Sequence, residues 1–163
     1  MTERKILAFY SPYPGAGKSS ARNAFDRRVV FGISFAEPVR TLVSSALAPF
    51  LPSTYNKDEA LDGLPVPASF RDFMIAFGQA GRSVWPDIWI EWARARINIF
   101  RRSHHVAAII DDLRFPNEYA MLREEGAKII RVTVPSREIV PSTTEALLEG
   151  YEFDAELDRK STR

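Results

Sequence analysis

The stretch SPYPGAGKSS, residues 11–20, decides the expected fold of this chain. It follows the apolar run KILAFY, residues 5–10, which predicts a buried strand. It leads into residues 18–27, whose pattern predicts a helix. The sequence Gly-x-Gly-Lys-Ser between a strand and a helix is typical of a phosphate-binding loop, because its backbone N–H groups and lysine can surround phosphate oxygens.

This loop carries the groups that bind a nucleoside triphosphate. The amine of Lys18 suits the β- and γ-phosphates, and the hydroxyl of Ser19 suits Mg²⁺. Pro12 stands where the pattern G-x-x-x-x-G-K-[ST] has its first glycine, so the start of the loop has one N–H donor fewer. A chance GKS in a turn is the alternative. The predicted ATP-binding residues are Gly15, Ala16, Gly17, Lys18, Ser19 and Ser20.

Composition indicates a globular, intracellular protein. The 163 residues are 45% hydrophobic and 26% charged, which fits one domain spanning residues 1–163. The net charge of +1 argues against nucleic acid as the main partner. The absence of cysteine excludes disulfides and thiolate metal sites, and no apolar run is long enough for a membrane span. We therefore expect a cytoplasmic location and no membrane partner.

Strands and helices are predicted to alternate along the chain, which is typical of an α/β protein whose parallel sheet is covered by helices on both faces. In such sheets, ligands gather at the carboxyl ends of the strands. Residues 51–67 hold prolines and turn signals and predict a surface loop, and the polar tail from Asp154 is expected to fray. The predicted strands are 5–10, 29–35, 106–110 and 128–134, and the predicted helices are 18–27, 36–50, 69–80, 86–100 and 116–126.

A second set of polar residues follows the predicted strand VAAII, residues 106–110. Asp111 comes directly after it and suits the magnesium shell of a phosphate-binding loop, with Asp112 as the second candidate. An ordinary turn or N-cap aspartate is the alternative. The fork of Arg114 suits a phosphate, although a surface pair with Glu118 would explain the same arginine.

The sequence SFRD, residues 69–72, predicts a capping box at the start of a helix. Further along this helix, Arg71, Gly78 and Arg82 are seven and eleven residues apart and share one stripe. A glycine between two arginines leaves room for a ligand, and two solvated arginines are the alternative. Glu37 could form a hydrogen bond with the base or sugar of a nucleotide that accepts a phosphoryl group. The alternative is an ordinary first-turn glutamate favoured by the helix dipole.

Several stretches together resemble the bacteriophage deoxynucleoside monophosphate kinases, among them DDLRFPNE, residues 111–118, whose part RFPNE, residues 114–118, is the most specific. The resemblance implies a three-layer P-loop kinase fold, with an acceptor-binding helical insertion at about residues 36–103 and a candidate lid at about 135–147, whose Arg137 is a further predicted ATP-binding residue. The other stretches that carry it are residues 34–38, 69–78, 81–82, 87–89 and 144–154.

The resulting hypothesis is phosphoryl transfer from ATP, with Mg²⁺, to a deoxynucleoside 5′-monophosphate. Two alternatives stay open: another acceptor, such as a small molecule or a modified base in DNA, or nucleotide binding without catalysis. The expected location is the host cytoplasm for a phage-encoded protein, and a homodimer is the further partner that the sequence leaves open. The predicted catalytic residues are Lys18, Arg82, Arg114 and Asp111; the substrate-binding residues are Glu37, Arg71, Gly78, Arg82, Arg114 and Glu118; the metal ligands are Ser19, Asp111 and Asp112.

Overall fold

The structure, a computed structural model, describes residues 4–13, 18, 25–26, 28–133 and 146–158. A short 3₁₀ turn, Ala48–Phe50, follows the first of the helices named below. In chain order, the strands and helices are β1 (Lys5–Tyr10), β2 (Val30–Ile33), α1 (Glu37–Leu47), α2 (Phe70–Val84), α3 (Ile88–Arg102), β3 (Ala107–Ile110), α4 (Pro116–Glu124), β4 (Lys128–Thr133) and β5 (Ala155–Asp158).

The five strands form one parallel sheet in the spatial order β2-β3-β1-β4-β5. In the central strand, the consecutive residues Ala8, Phe9 and Tyr10 are all buried. Because successive side chains of a strand point to opposite faces, this burial means that both faces of the sheet are covered at β1. The predicted α/β class, with a parallel sheet covered on both faces, is therefore confirmed.

The strand order creates a switch point between β1 and β3. From β1 the chain passes beyond β3 to reach β2, and from β3 it passes beyond β1 to reach β4. The connections that leave these two adjacent strands therefore run in opposite directions. In open parallel sheets, ligands bind outside the carboxyl ends of the strands at such a point. The register pairs Ala8 with Ile110, so Ser11 and Asp111 follow neighbouring strand ends.

The chain divides into two compact units. The sheet unit comprises Met1–Phe35 and Ala93–Arg163, and the helical unit comprises Ala36–Trp92. Within the helical unit, α1 and α2 pack around an apolar core, since the spacing of their apolar residues gives each helix one buried face. The buried members of that core are Val39, Val43, Leu47, Leu61, Phe70 and Trp89.

Local sequence signals explain where the helices begin and end. The capping box predicted for α2 is present, because Ser69 Oγ accepts a hydrogen bond from Asp72 N–H at 3.2 Å and Asp72 Oδ2 accepts one from Ser69 N–H at 2.8 Å. Pro116 starts α4, and Gly126 follows its end with a φ of 74°, a conformation that favours glycine. None of the helices in the described part of the chain is long and apolar enough to cross a membrane.

The prediction for the C-terminal tail was wrong. Ala155–Asp158 does not fray but forms β5, which pairs with β4 at one edge of the sheet. All four residues of this strand are exposed, so no apolar run marks it in the sequence. The helix predicted to end near residue 80 continues to Val84 as α2. Most of the helix predicted at residues 18–27 lies outside the described residues.

Candidate functional site

The end of β1 carries the lysine of the predicted phosphate-binding loop. Lys18 is helical and half-buried, and its Nζ donates a hydrogen bond to the backbone oxygen of Ser11 at 3.2 Å. Ser11 itself is buried and comes directly after β1, so the amine of Lys18 lies beside the strand end. The other predicted ATP-binding residues lie outside the described part of the chain; they are Gly15, Ala16, Gly17, Ser19, Ser20 and Arg137.

The two aspartates after β3 have different surroundings. The carboxylate of Asp112 accepts hydrogen bonds from Ser34 Oγ at 2.6 Å and from Phe35 N–H at 3.1 Å. It therefore ties the end of β3 to the turn that follows β2. Asp111 is buried, with an exposed fraction of 8%, directly after Ile110 at the switch point. Asp112 is thus held by the turn after β2, and the choice of Asp111 as the carboxylate that acts at the sheet edge stays a prediction.

A magnesium ion fits this carboxylate by its chemistry. Within the residues that the structure describes, no three acidic or histidine side chains converge as a ready metal cage. A phosphate-binding loop does not need one, because its Mg²⁺ is held by one hydroxyl, one aspartate and the phosphates themselves. Asp111 can provide the carboxylate oxygen, and Ser19, the predicted hydroxyl ligand, lies outside the described residues. Ser19, Asp111 and Asp112 as metal ligands stay predictions.

Arg114 is carried on a turn that is held by Glu118. One carboxylate oxygen of Glu118, Oε2, accepts hydrogen bonds from the N–H groups of Arg114 at 2.9 Å and of Phe115 at 3.1 Å. Glu118 is buried, and these two bonds cap backbone donors at the start of α4. This geometry gives Glu118 a positioning role for Arg114, and the predicted contact of Glu118 with a substrate stays a prediction.

The remaining predicted residues lie in the helical unit. Glu37 begins α1 and is half-buried, in the position that the helix dipole favours for an acidic side chain. On α2, Gly78 and Arg82 are brought together, since a Cβ added to Gly78 would lie 3.6 Å from Arg82 Nη1. Arg71 forms an ion pair with Asp58 through its Nε.

Trp89 holds this part of α2 in place. Its Nε1 donates a hydrogen bond to the backbone oxygen of Gly78 at 3.1 Å, and its ring packs against Gly81. A Cβ at Gly81 would lie 2.4 Å from Trp89 Cζ2, so only glycine allows this approach. Gly81 was named only among the residues that carry the resemblance, and its packing role could not be predicted, because the contact joins α2 to α3 and no local pattern indicates it.

A buried tyrosine at the end of β1 was also missed. Tyr10 pairs with Arg131 in the sheet register, and Glu149 accepts from Arg131 Nη2 at 2.9 Å and from Tyr10 Oη at 3.5 Å. Burial, and then the negative charge of Glu149, raises the pKa of the Tyr10 phenol to about 12. The only sequence signal was that Tyr10 is the last residue of the apolar run KILAFY. Its contacts with Arg131 and Glu149 depend on the tertiary structure.

Comparison with known proteins gives no family for this chain. No protein-family model matches the sequence, and no curated protein is significantly similar to it. The functional assignment therefore depends on the sheet edge, on the arginines of α2 and on the resemblance carried by residues such as 111–118.

Proposed function

We propose that this protein transfers the γ-phosphoryl group of ATP to a deoxynucleoside 5′-monophosphate and releases the diphosphate and ADP. One observation carries the proposal. The switch point between β1 and β3 has Lys18 after one strand and Asp111 after the other. A cation and a carboxylate at adjacent carboxyl ends of a parallel sheet are what a triphosphate and its metal require.

On the donor side, Lys18 would neutralise the β- and γ-phosphates. Its present bond to the backbone oxygen of Ser11 keeps the amine near the strand end, and a phosphate oxygen would be a stronger, charged acceptor. The amides of Gly15, Ala16, Gly17, Ser19 and Ser20 are proposed to complete the cradle, with Arg137 as a further contact.

Asp111 would hold the metal, together with the hydroxyl of Ser19. Mg²⁺, when bound, supplies charge neutralisation on the transferred phosphoryl group. Asp112 would act indirectly, since its bonds to Ser34 and Phe35 fix the path of the chain after β2. Of the two neighbouring aspartates, Asp111 would therefore bind the metal and Asp112 would stabilise the turn after β2.

On the acceptor side, the proposed ligands are arginines. Arg71 and Arg82 lie on α2, and Arg114 stands on the turn that Glu118 fixes. Guanidinium groups bind phosphate oxygens bidentately and carry a charge at every physiological pH. Because phosphoryl transfer depends on positioning and charge neutralisation, such residues suffice without a covalent intermediate. Glu37 is proposed to contact the base or the sugar.

The test is ATP turnover against a panel of acceptors. Purified protein would be incubated with ATP, Mg²⁺ and one acceptor at a time, and both ADP and the phosphorylated product would be quantified. We expect equal amounts of ADP and a deoxynucleoside diphosphate with at least one of dAMP, dGMP, dCMP and dTMP. If ADP forms only with another small molecule or with DNA, that compound is the acceptor and the proposed deoxynucleotide acceptor is wrong. If the protein binds ATP without turnover, the result supports nucleotide binding without catalysis.

A further inference from the structure

We infer that the carboxylate of Asp58 occupies the place of the acceptor phosphate on Arg71 and is displaced when the acceptor binds. This inference rests on the proposed function, since it concerns the same acceptor site. It adds Asp58, which lies in residues 51–67, a segment that the sequence predicted only as a surface loop. From this loop, Asp58 controls the acceptor site. The consequence is a lower affinity for the acceptor phosphate than Arg71 would give without Asp58.

The ion pair itself is the first observation. Arg71 Nε and Asp58 Oδ1 are in direct contact, and the two side chains have exposed fractions of 46% and 50%. Both groups are thus open to solvent, where an ion pair is weak and can exchange its anion. A guanidinium binds carboxylate and phosphate with the same planar set of N–H donors, so both anions compete for Arg71.

The loop does not depend on this pair for its own fold. Its backbone is joined to α2 by a hydrogen bond from Arg71 N–H to the oxygen of Lys57 at 2.9 Å. Its turn is closed by Asp58 N–H donating to Asn56 Oδ1 at 3.1 Å and by Asn56 Nδ2 donating to Glu59 Oε1 at 2.8 Å. The Asp58 side chain can therefore release Arg71 while the loop backbone stays in place.

Charge decides which anion holds the guanidinium. A phosphate monoester carries about −1.5 to −2 at neutral pH and offers three strong acceptor oxygens, whereas a carboxylate carries −1 and offers two. A monophosphate therefore displaces Asp58, while a nucleoside without phosphate leaves the Asp58–Arg71 pair closed. Asp58 therefore lowers the affinity of any ligand whose phosphate must displace it from Arg71.

Removal of the Asp58 charge tests the inference. Acceptor and ATP-analogue affinities would be titrated separately for wild type, Asp58→Asn, Arg71→Ala and the double variant, using dAMP, dGMP, dCMP and dTMP in turn. Glu59→Gln is the matched control, since it removes one negative charge from the same turn without touching Arg71. We expect Asp58→Asn to tighten acceptor binding by about two- to fivefold, as the strength of an exposed ion pair allows.

The pattern across the variants separates displacement from a structural role. Displacement predicts a lower acceptor KM with unchanged kcat and ATP-analogue affinity, no gain in Glu59→Gln, and no gain from Asp58→Asn once Arg71 is alanine. An equal gain in Glu59→Gln, or a loss of thermal stability in Asp58→Asn without tighter binding, would overturn it. If wild type binds and phosphorylates none of the four monophosphates, the proposed function fails, and this inference fails with it.

Discussion

Two polar regions of the sheet unit use the same residue types differently. At the switch point, Lys18 and Asp111 stand at the carboxyl ends of β1 and β3, where the connections diverge. At the other side of the sheet, Asp154 accepts hydrogen bonds from Ile129 N–H at 2.8 Å and from Lys128 Nζ at 3.1 Å, and it also pairs with Arg123. We call Asp154, Arg123, Lys128 and Tyr119 the C-terminal anchor.

The difference is in what surrounds each carboxylate. Three donors from two elements converge on Asp154, which fastens β5 to β4. Burial alone would raise the pKa of Asp154, but the bonds from Ile129, Lys128 and Arg123 lower it to about 2. Asp111 is more buried than Asp154 and stands where the topology opens a ligand crevice. Convergent donors therefore indicate a stabilising role for Asp154, whereas the chemical role of Asp111 at the switch point is our proposal.

The largest expected effect separates the two regions directly. Lys18→Ala should reduce phosphoryl transfer by about 100- to 1,000-fold, the range for loss of one charge-stabilising group. Thermal unfolding should change little, because Lys18 is half-buried and its side chain is not part of the core. The control is Lys5→Ala, at the opposite end of β1. If Lys18→Ala turns over at a rate near that of wild type, Lys18 and its loop have no role in phosphoryl transfer.

A smaller effect should distinguish the aspartates of the switch point. Asp111→Asn should lower turnover by about 10- to 150-fold at fixed Mg²⁺, with partial recovery at higher Mg²⁺, since a charged contact is lost. Asp112→Asn should instead lower the free energy of unfolding by about 1 kcal/mol, because an amide offers one acceptor to the donors Ser34 and Phe35. Magnesium titrations and urea unfolding of both variants check this. The reverse assignment would make Asp112 the metal ligand.

In the C-terminal anchor, the same substitution should act on stability. Asp154→Asn should lower the free energy of unfolding by about 1–2 kcal/mol at pH 7 and leave kcat unchanged. The folded pKa of Asp154, about 2, lies below its unfolded value, so this contribution is present at neutral pH and is lost as pH falls from about 5 toward 2. Urea unfolding across that range should show the two proteins converging. Asp158→Asn, on the exposed face of β5, is the control.

The smallest effect should come from one hydroxyl of the C-terminal anchor. Tyr119 Oη donates to the backbone oxygen of Glu152 at 2.6 Å and accepts from Arg123 Nε at 2.9 Å. Tyr119→Phe keeps the ring and removes both bonds, at a cost of about 0.5–1.5 kcal/mol in the free energy of unfolding. Tyr151→Phe, whose ring meets that of Tyr119 edge-on, serves as the control. An equal loss in both variants would assign the effect to the rings.

Much of the fold followed from local patterns. The strand at residues 5–10 was predicted with its observed bounds, and the capping box at Ser69 was predicted from four letters, because both depend on neighbouring residues. The exposed strand β5 could not be predicted in this way. It is only four residues long and none of them is buried, and its place is fixed by pairing with β4 and by the bonds of Asp154.

The candidate site divides in the same manner. The sequence alone determined which side chains are candidates for binding phosphate and metal, since Lys18, Asp111 and the arginines were selected by residue type and spacing. Only the tertiary structure showed that Asp112 is held by the turn after β2, because Ser34 and Phe35 reach it from 78 and 77 residues away in the chain, respectively. Periodicity and caps are short-range effects that the chain carries locally, whereas the partners of a carboxylate at a strand end depend on which strands become neighbours.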